Sequence, residues 1–163
     1  VTPSPGHLVR RFVGSLWPTG PTIEGEAFAV AVLSEAELGL WRRMSKVDRR
    51  HAVGVAKRVE AALGERATPA VLAAALLHDV GKVVSGLGLP GRVVATVAGL
   101  AGKRDLTPRV ARYLRHAELG AELLEQAGSD PLTVAWARRH HLPPEQQTVP
   151  ADIAAVLKAA DDD

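Results

Sequence analysis

The side chains in this chain best suited to chemistry are histidines and aspartates. There are six histidines, His7, His51, His78, His116, His140 and His141, and His78 is followed directly by Asp79. That pair closes an apolar run, Ala-Ala-Leu-Leu-His-Asp-Val-Gly-Lys, at residues 74–82. An ionised carboxylate inside such a run is costly unless a cation or hydrogen bonds compensate it. A metal ion would do so, and the two oxygens of Asp79 could bridge two metals while the His78 imidazole binds one. His51, His116, the His140-His141 pair and Asp161 lie on other segments. Helices of a bundle can bring such residues to one point. Five histidines and two carboxylates could then supply two metals with about three or four protein ligands each, leaving positions open for water. His7 reads as a solvated residue of the N-terminal arm, and no Ser-His-Asp arrangement is evident.

The elements that must position these residues read as helices. Residues 1–33 are rich in proline and glycine and read as an irregular arm packing on the bundle, with one short turn around Leu8 to Phe12. Ser34 with Glu37 three residues on is a capping-box start for a helix to about Met44. Asp48 can cap a second helix, which carries His51 and which Gly64 stops. Thr68-Pro69 opens a third, apolar almost all round and therefore a core helix, ended by Gly81. A fourth runs over about 90–100. A fifth is opened by Thr107-Pro108, broken near His116 and carried to Gln126; a sixth runs from Asp130-Pro131 to near His141. A turn at Pro143-Pro144 precedes the last helix, Ala151 to Asp161, which reads as cut short, leaving room for further chain. The expectation is an all-α domain over 34–163, a bundle of about six to seven helices.

Composition narrows the function. The 163 residues fit one domain and contain no cysteine, which excludes disulfides, thiolate zinc sites, iron–sulfur clusters and a cysteine nucleophile. A cysteine-free chain without a signal-like or spanning segment fits the cytoplasm, and no membrane partner is expected. The longest apolar run, 71–77, is far short of the roughly 20 residues of a spanning helix. A net charge of +2 and six aromatic residues give no strong nucleic-acid signal. Trp17, Trp41 and Trp136 read as packing residues.

The ordered elements match a known family. Arg50-His51-Ala52 with Val55-Ala56, then Leu77-His78-Asp79-Val80-Gly81-Lys82, begin the series. His116-Ala117-Glu118-Leu119-Gly120-Ala121-Glu122-Leu123-Leu124, His140-His141 and Ala159-Ala160-Asp161 complete it. The order His…His-Asp…His…His-His…Asp resembles the HD superfamily of metal-dependent phosphohydrolases over roughly residues 45–163. It looks most like a small stand-alone member of the binuclear HDIG and HD-GYP-like branch. The resemblance implies an HD-type helical fold and two divalent cations, with Fe, Mn, Mg and Zn all compatible. It implies that His51, His78, Asp79 and Asp161 hold one and that Asp79, His116, His140 and His141 hold the other. Asp79 and Lys82 would be the catalytic pair, with Lys82 beside the substrate phosphate. Arg50 and Arg115, each preceding a ligand, could also face an anionic substrate.

The implied activity is hydrolysis of a phosphoester or phosphoanhydride by a metal-activated water, in a small phosphorylated substrate of the nucleotide class. The chain lacks the Gly-Tyr-Pro element of HD-GYP domains, and its glycine-rich segment 83–106 matches no specificity segment of that branch. The run His116-Ala117-x-x-Gly120-Ala121 is similar to small HD hydrolases that split symmetrical dinucleoside tetraphosphates. Two alternatives stand beside hydrolysis. One is a mixed-valent di-iron oxygenase with a similar ligand set, which Lys82 argues against. The other is a nucleotide-binding regulatory module without turnover.

Overall fold

The computed structural model describes residues 19–102 and 107–162. His7, the turn expected near Leu8, Trp17 and Asp163 lie outside them. Among the described residues there are nine α-helices and no strand. These are α1 (Ile23–Val32), α2 (Glu35–Arg43), α3 (Lys46–Leu63), α4 (Pro69–Leu77), α5 (Leu89–Leu100), α6 (Pro108–Leu114), α7 (His116–Gln126), α8 (Pro131–Arg139) and α9 (Ala151–Asp162). Short 3₁₀ turns follow α3, α4 and α8, at Gly64–Arg66, Val80–Val84 and Pro144–Gln146.

The all-α class is as the sequence led us to expect, with two helices more. One is α1, inside the stretch that reads as an irregular arm. Its start is chemical: the Thr22 hydroxyl accepts from the Gly25 amide at 3.1 Å, an N-cap that the surrounding prolines and glycines obscure. The other comes from the fifth helix, which divides fully into α6 and α7 at Arg115. The expected Ser34–Glu37 capping box is present, with bonds of 3.3 and 2.9 Å. For α3 the cap is Ser45 rather than Asp48, because Ser45 stands three residues earlier and its hydroxyl takes the Asp48 amide.

α4 is the centre of the bundle. It lies against α3, α8, α1 and α9, and every residue from Val71 to Leu77 is buried. A helix with no polar face can only sit inside, and its alanines let neighbouring helices come close. Leu76 and Leu77 are fully buried, each contributing roughly 1.5–3 kcal/mol. Trp41 and Trp136 are core residues, as their sequence context suggested. α9 crosses α3, and α7 packs along α8 and over the 3₁₀ turn Val80–Val84. The His-Asp pair, at the end of the most buried helix, thereby meets the start of α7, the end of α8 and the end of α9.

One contact sets the distance between two of these parts. A Cβ on Gly81 would stand 1.9 Å from the His116 carbonyl oxygen and 2.6 Å from the Gly120 nitrogen. Gly120 faces it with more room, its own Cβ position being 3.0 Å from the Gly81 nitrogen. Backbone thus crosses backbone, and only glycine fits at Gly81. The sequence read Gly81 as the end of the core helix; α4 already stops at Leu77, and Gly81 serves this crossing instead.

Candidate metal centre

Three of the histidines stand at helix ends. The last carbonyls of a helix have no amide partner within it. His78 Nδ1 meets the Ala75 carbonyl at 2.9 Å, His116 Nδ1 the Tyr113 carbonyl at 2.7 Å, and His140 Nδ1 the Ala137 carbonyl at 2.9 Å. A carbonyl can only accept, so each Nδ1 carries a proton and donates it. In the neutral ring this leaves Nε2 as the lone-pair donor. The same step of three residues back along the chain fixes all three rings.

Those Nε2 atoms surround Asp79. Its Oδ1 lies 3.4 Å from His116 Nε2 and 3.7 Å from His140 Nε2. Its Oδ2 lies 3.5 Å from His78 Nε2 and pairs with the Lys82 ammonium. Asp161 Oδ1 is 2.9 Å from His51 Nε2 and 3.5 Å from His78 Nε2. His141 Nε2 is 2.9 Å from His116 Nε2. Two donors bound side by side to one cation at about 2.1 Å stand roughly 3–3.5 Å apart, so these spacings suit shared ligation. Two sets of donors are close enough to hold an ion, Asp79 with His116, His140 and His141, and His51 with His78 and Asp79. Asp161 adjoins the second set.

Burial makes the cluster expensive without a cation. His78, Asp79, His116, His140 and Asp161 are buried and His51 is partly exposed; His141 is an exposed residue whose ring turns inward against His116 and His140, at 4.9 and 3.8 Å between centroids. His78 Nε2, Asp79 Oδ1 and His140 Nε2 are buried with no hydrogen-bond partner. Burial opposes the charge on Asp79, but Lys82 and His78 outweigh it and hold the carboxyl well below the usual range. Burial likewise opposes a charged His78, yet Asp79 and Asp161 raise it to about 10. A proton there occupies the place a cation would take between two carboxylates. Burial lowers His51. Burial and the neighbouring His141 push His140 far down, and burial with His116 lowers His141 to about 3. Burial also opposes a charged Lys82, but Asp79 raises it, so it stays an ammonium.

All seven residues that the sequence marked as ligands therefore come together, with Lys82 beside them. Arg50 bonds Thr19, and Arg115 pairs at the surface with Glu118 at 2.9 Å. Four further residues, Asp48, Arg92, Arg58 and Gln147, support the cluster and were not singled out for that role. Asp48 is buried, accepts from Arg92 Nη1 at 2.7 and 2.8 Å, and contributes to raising Lys82. Arg58 donates twice to the Ala160 carbonyl, and the Gln147 amide donates to the carbonyls of Arg139 and Leu142. A lone arginine in the glycine- and valine-rich helix α5 was the one available hint, for Arg92.

The HD domain family matches residues 49–162. The chain belongs to the HD domain family. The matched stretch contains every one of the clustered residues. HD domains are in general metal-dependent phosphohydrolases and bind divalent metals, and a cluster of buried, unpaired imidazole nitrogens around a carboxylate fits that chemistry. No match was found to a curated protein or to a solved structure. No helix among the described residues is long and apolar enough to cross a membrane.

Proposed function

We propose that this HD domain is a two-metal phosphohydrolase cleaving a phosphoester or phosphoanhydride bond in a small phosphorylated molecule, a nucleotide, in the cytoplasm. His51, His78, Asp79 and Asp161 would hold one cation, and Asp79, His116, His140 and His141 the other. The observation that carries the reading is Asp79. It offers one oxygen to each group of histidines, and the Nε2 atoms of His78 and His140 are buried beside it without a partner. Buried polar atoms are rarely left so, and a cation in each group would satisfy them.

Bound there, two cations supply a water of lowered pKa and a clamp on the phosphoryl oxygens. The chain's own groups do the rest. Asp79 stays ionised, because Lys82 and His78 offset its burial. Lys82 keeps its positive charge and a side chain 15% exposed, so it can meet a phosphoryl oxygen as negative charge builds there. Arg50 and Arg115, each next to a ligand in sequence, would help to draw in the anion.

The test is to load the protein separately with Mn and Fe(II) without oxygen and incubate it with mono-, di- and cyclic nucleotides. Chromatography should reveal hydrolysis products that disappear in Asp79→Ala. Turnover retained in Asp79→Ala would overturn the reading, since no bridging carboxylate would remain. Oxygen uptake by the iron-loaded protein, with no hydrolysis, would favour the oxygenase instead.

A further inference from the structure

We infer that each half of the metal centre is held by its own polar clamp, Gln147 for His140 and His141, and Arg58 for Asp161. The inference rests on the two-metal reading and adds two positioning residues to it.

His140 and His141 leave the end of α8, where carbonyls lack helical partners. The chain then turns through Pro144–Gln146 and comes back across that end. Gln147 Nε2 donates one proton to the Arg139 carbonyl at 2.7 Å and the other to the Leu142 carbonyl at 2.8 Å. These are the residues immediately before and after the His140-His141 pair. Both partners can only accept, so the amide nitrogen must face them, and Oε1 is left buried without a partner. Arg139 returns the tie, its guanidinium donating to the Gln146 carbonyl at 2.7 Å. The pair is therefore bracketed from outside the helix, and no ligand atom is touched.

Arg58 does the same on the other side. It lies seven residues after His51, two turns along the same face of α3. Its Nε and Nη2 donate to the Ala160 carbonyl at 3.0 and 2.7 Å, while His51 meets Asp161, the next residue. One face of α3 thus holds both the backbone before Asp161 and its carboxylate. The two clamps use no residue in common, so each half should respond by itself.

The variants are Gln147→Glu, which keeps shape but replaces two donors with acceptors, and Arg58→Met, which keeps the apolar stem. The full chain would be titrated with Mn²⁺ by calorimetry and electron paramagnetic resonance. Gln147→Glu should weaken one binding step about ten-fold and leave the other nearly unchanged, the lower end of what losing a ligand's own partner costs, because the clamp holds backbone beside the ligands. Arg58→Met should weaken the opposite step. In the metal-free protein, the imidazole resonances of His140 and His141 should shift in Gln147→Glu while those of His51 and His78 stay, and the reverse in Arg58→Met. Helical content and melting of the metal-free variants should stay close to the parent. Wild-type binding in both variants, or equal loss of both steps, would overturn the clamps. A parent protein that takes up fewer than two metals would instead sink the two-metal reading, and the imidazole resonances would still decide the clamps.

Discussion

Replacing Gly81 with alanine should separate the two halves of the centre without changing any polar group. The added Cβ would stand 1.9 Å from the His116 carbonyl oxygen, whereas ordinary contact begins at 3.4 Å. The difference, 3.4 − 1.9, is 1.5 Å, and both obstructing atoms belong to the backbone of α7. A rotamer change cannot relieve the clash, so α7 and the turn Val80–Val84 must move apart. Gly81 has no positive φ, so the cost is one of space and not of backbone conformation. Overpacking of this kind costs about 1–3 kcal/mol. For a chain of this length each kcal/mol lowers the melting temperature by roughly 2–4 °C. His116, which rides on the first residue of α7, would leave its 3.4 Å position beside Asp79. Displacements near 1 Å at a reacting centre can cost about 100-fold in rate. Gly120→Ala is the internal control. Its Cβ would meet the Gly81 nitrogen at 3.0 Å, a squeeze of tenths of an ångström, so a milder loss is expected. Differential scanning calorimetry, metal titration and turnover would all be measured. If Gly81→Ala melts, binds metal and turns over like the parent, or if Gly120→Ala is the worse variant, the close crossing does not set the site.

Four other outcomes follow from the same geometry. His78 in the metal-free protein has its pKa raised from 6.5 to about 10, so at pH 7–8 it carries a proton that a metal must expel. Calorimetry in buffers of different protonation enthalpy should show proton release on binding, with affinity rising with pH; binding without proton uptake by the buffer would contradict this. The contribution of the same group to the stability of the metal-free fold is full below pH 6.5 and is lost as pH rises towards about 10, which melting across that window checks. Breaking the buried Asp48–Arg92 pair by Arg92→Ala should cost up to about 3 kcal/mol, because Asp48 is left charged and buried. Adding Asp48→Ala should recover part of the loss, and strictly additive denaturation energies would argue that the two do not couple. Chelation should lower the melting temperature of the loaded protein, by roughly 2.7 kcal/mol of stability if free metal stood at a hundred times its dissociation constant.

How much of this was legible depends on the range of each interaction. Helix starts depend on residues three apart, and so Ser34 with Glu37, Thr68-Pro69, Thr107-Pro108 and Asp130-Pro131 all announce themselves. The apolar run of α4 announces the core in the same way. α1 does not, because its cap, Thr22, is embedded among Pro18, Gly20, Pro21 and Gly25, and Ile23 and Val30 lie exposed without a clear apolar face. The cluster was legible as an ordered set of residue types, and the structure brings those residues together. What sequence withheld is the support. Arg58 meets Ala160 across 102 positions, and Arg92 meets Asp48 across 44. Gln147 is read by no local rule, since its partners are carbonyls that any residue would present. Gly81 was read as punctuation, and the atom that needs its missing side chain belongs to His116, 35 residues on.

The position of the three helix-end histidines gives the cluster a common electrostatic logic. A helix concentrates partial negative charge at its C-terminal carbonyls. α4 and α8 end one residue before His78 and His140, α6 ends two residues before His116, which itself opens α7, and Asp161 lies in the last turn of α9. The start of α7 adds an opposing positive end at His116, so the carboxylates of Asp79 and Asp161 are the cluster's full negative charges. Each imidazole takes one end carbonyl through Nδ1, relieving an unsatisfied acceptor, and presents Nε2 to the cluster. The same bond that caps the helix sets the tautomer that a cation requires. Folding and ligand orientation are therefore coupled at these positions, because the carbonyl that holds each ring belongs to the last turn of the preceding helix. Lys82 and a proton on His78 both gather at Asp79 when no metal is bound, drawn by the carboxylates. The two carboxylates hold positive charge on Lys82 and His78, while burial lowers His51, His140 and His141 and keeps their lone pairs for a cation.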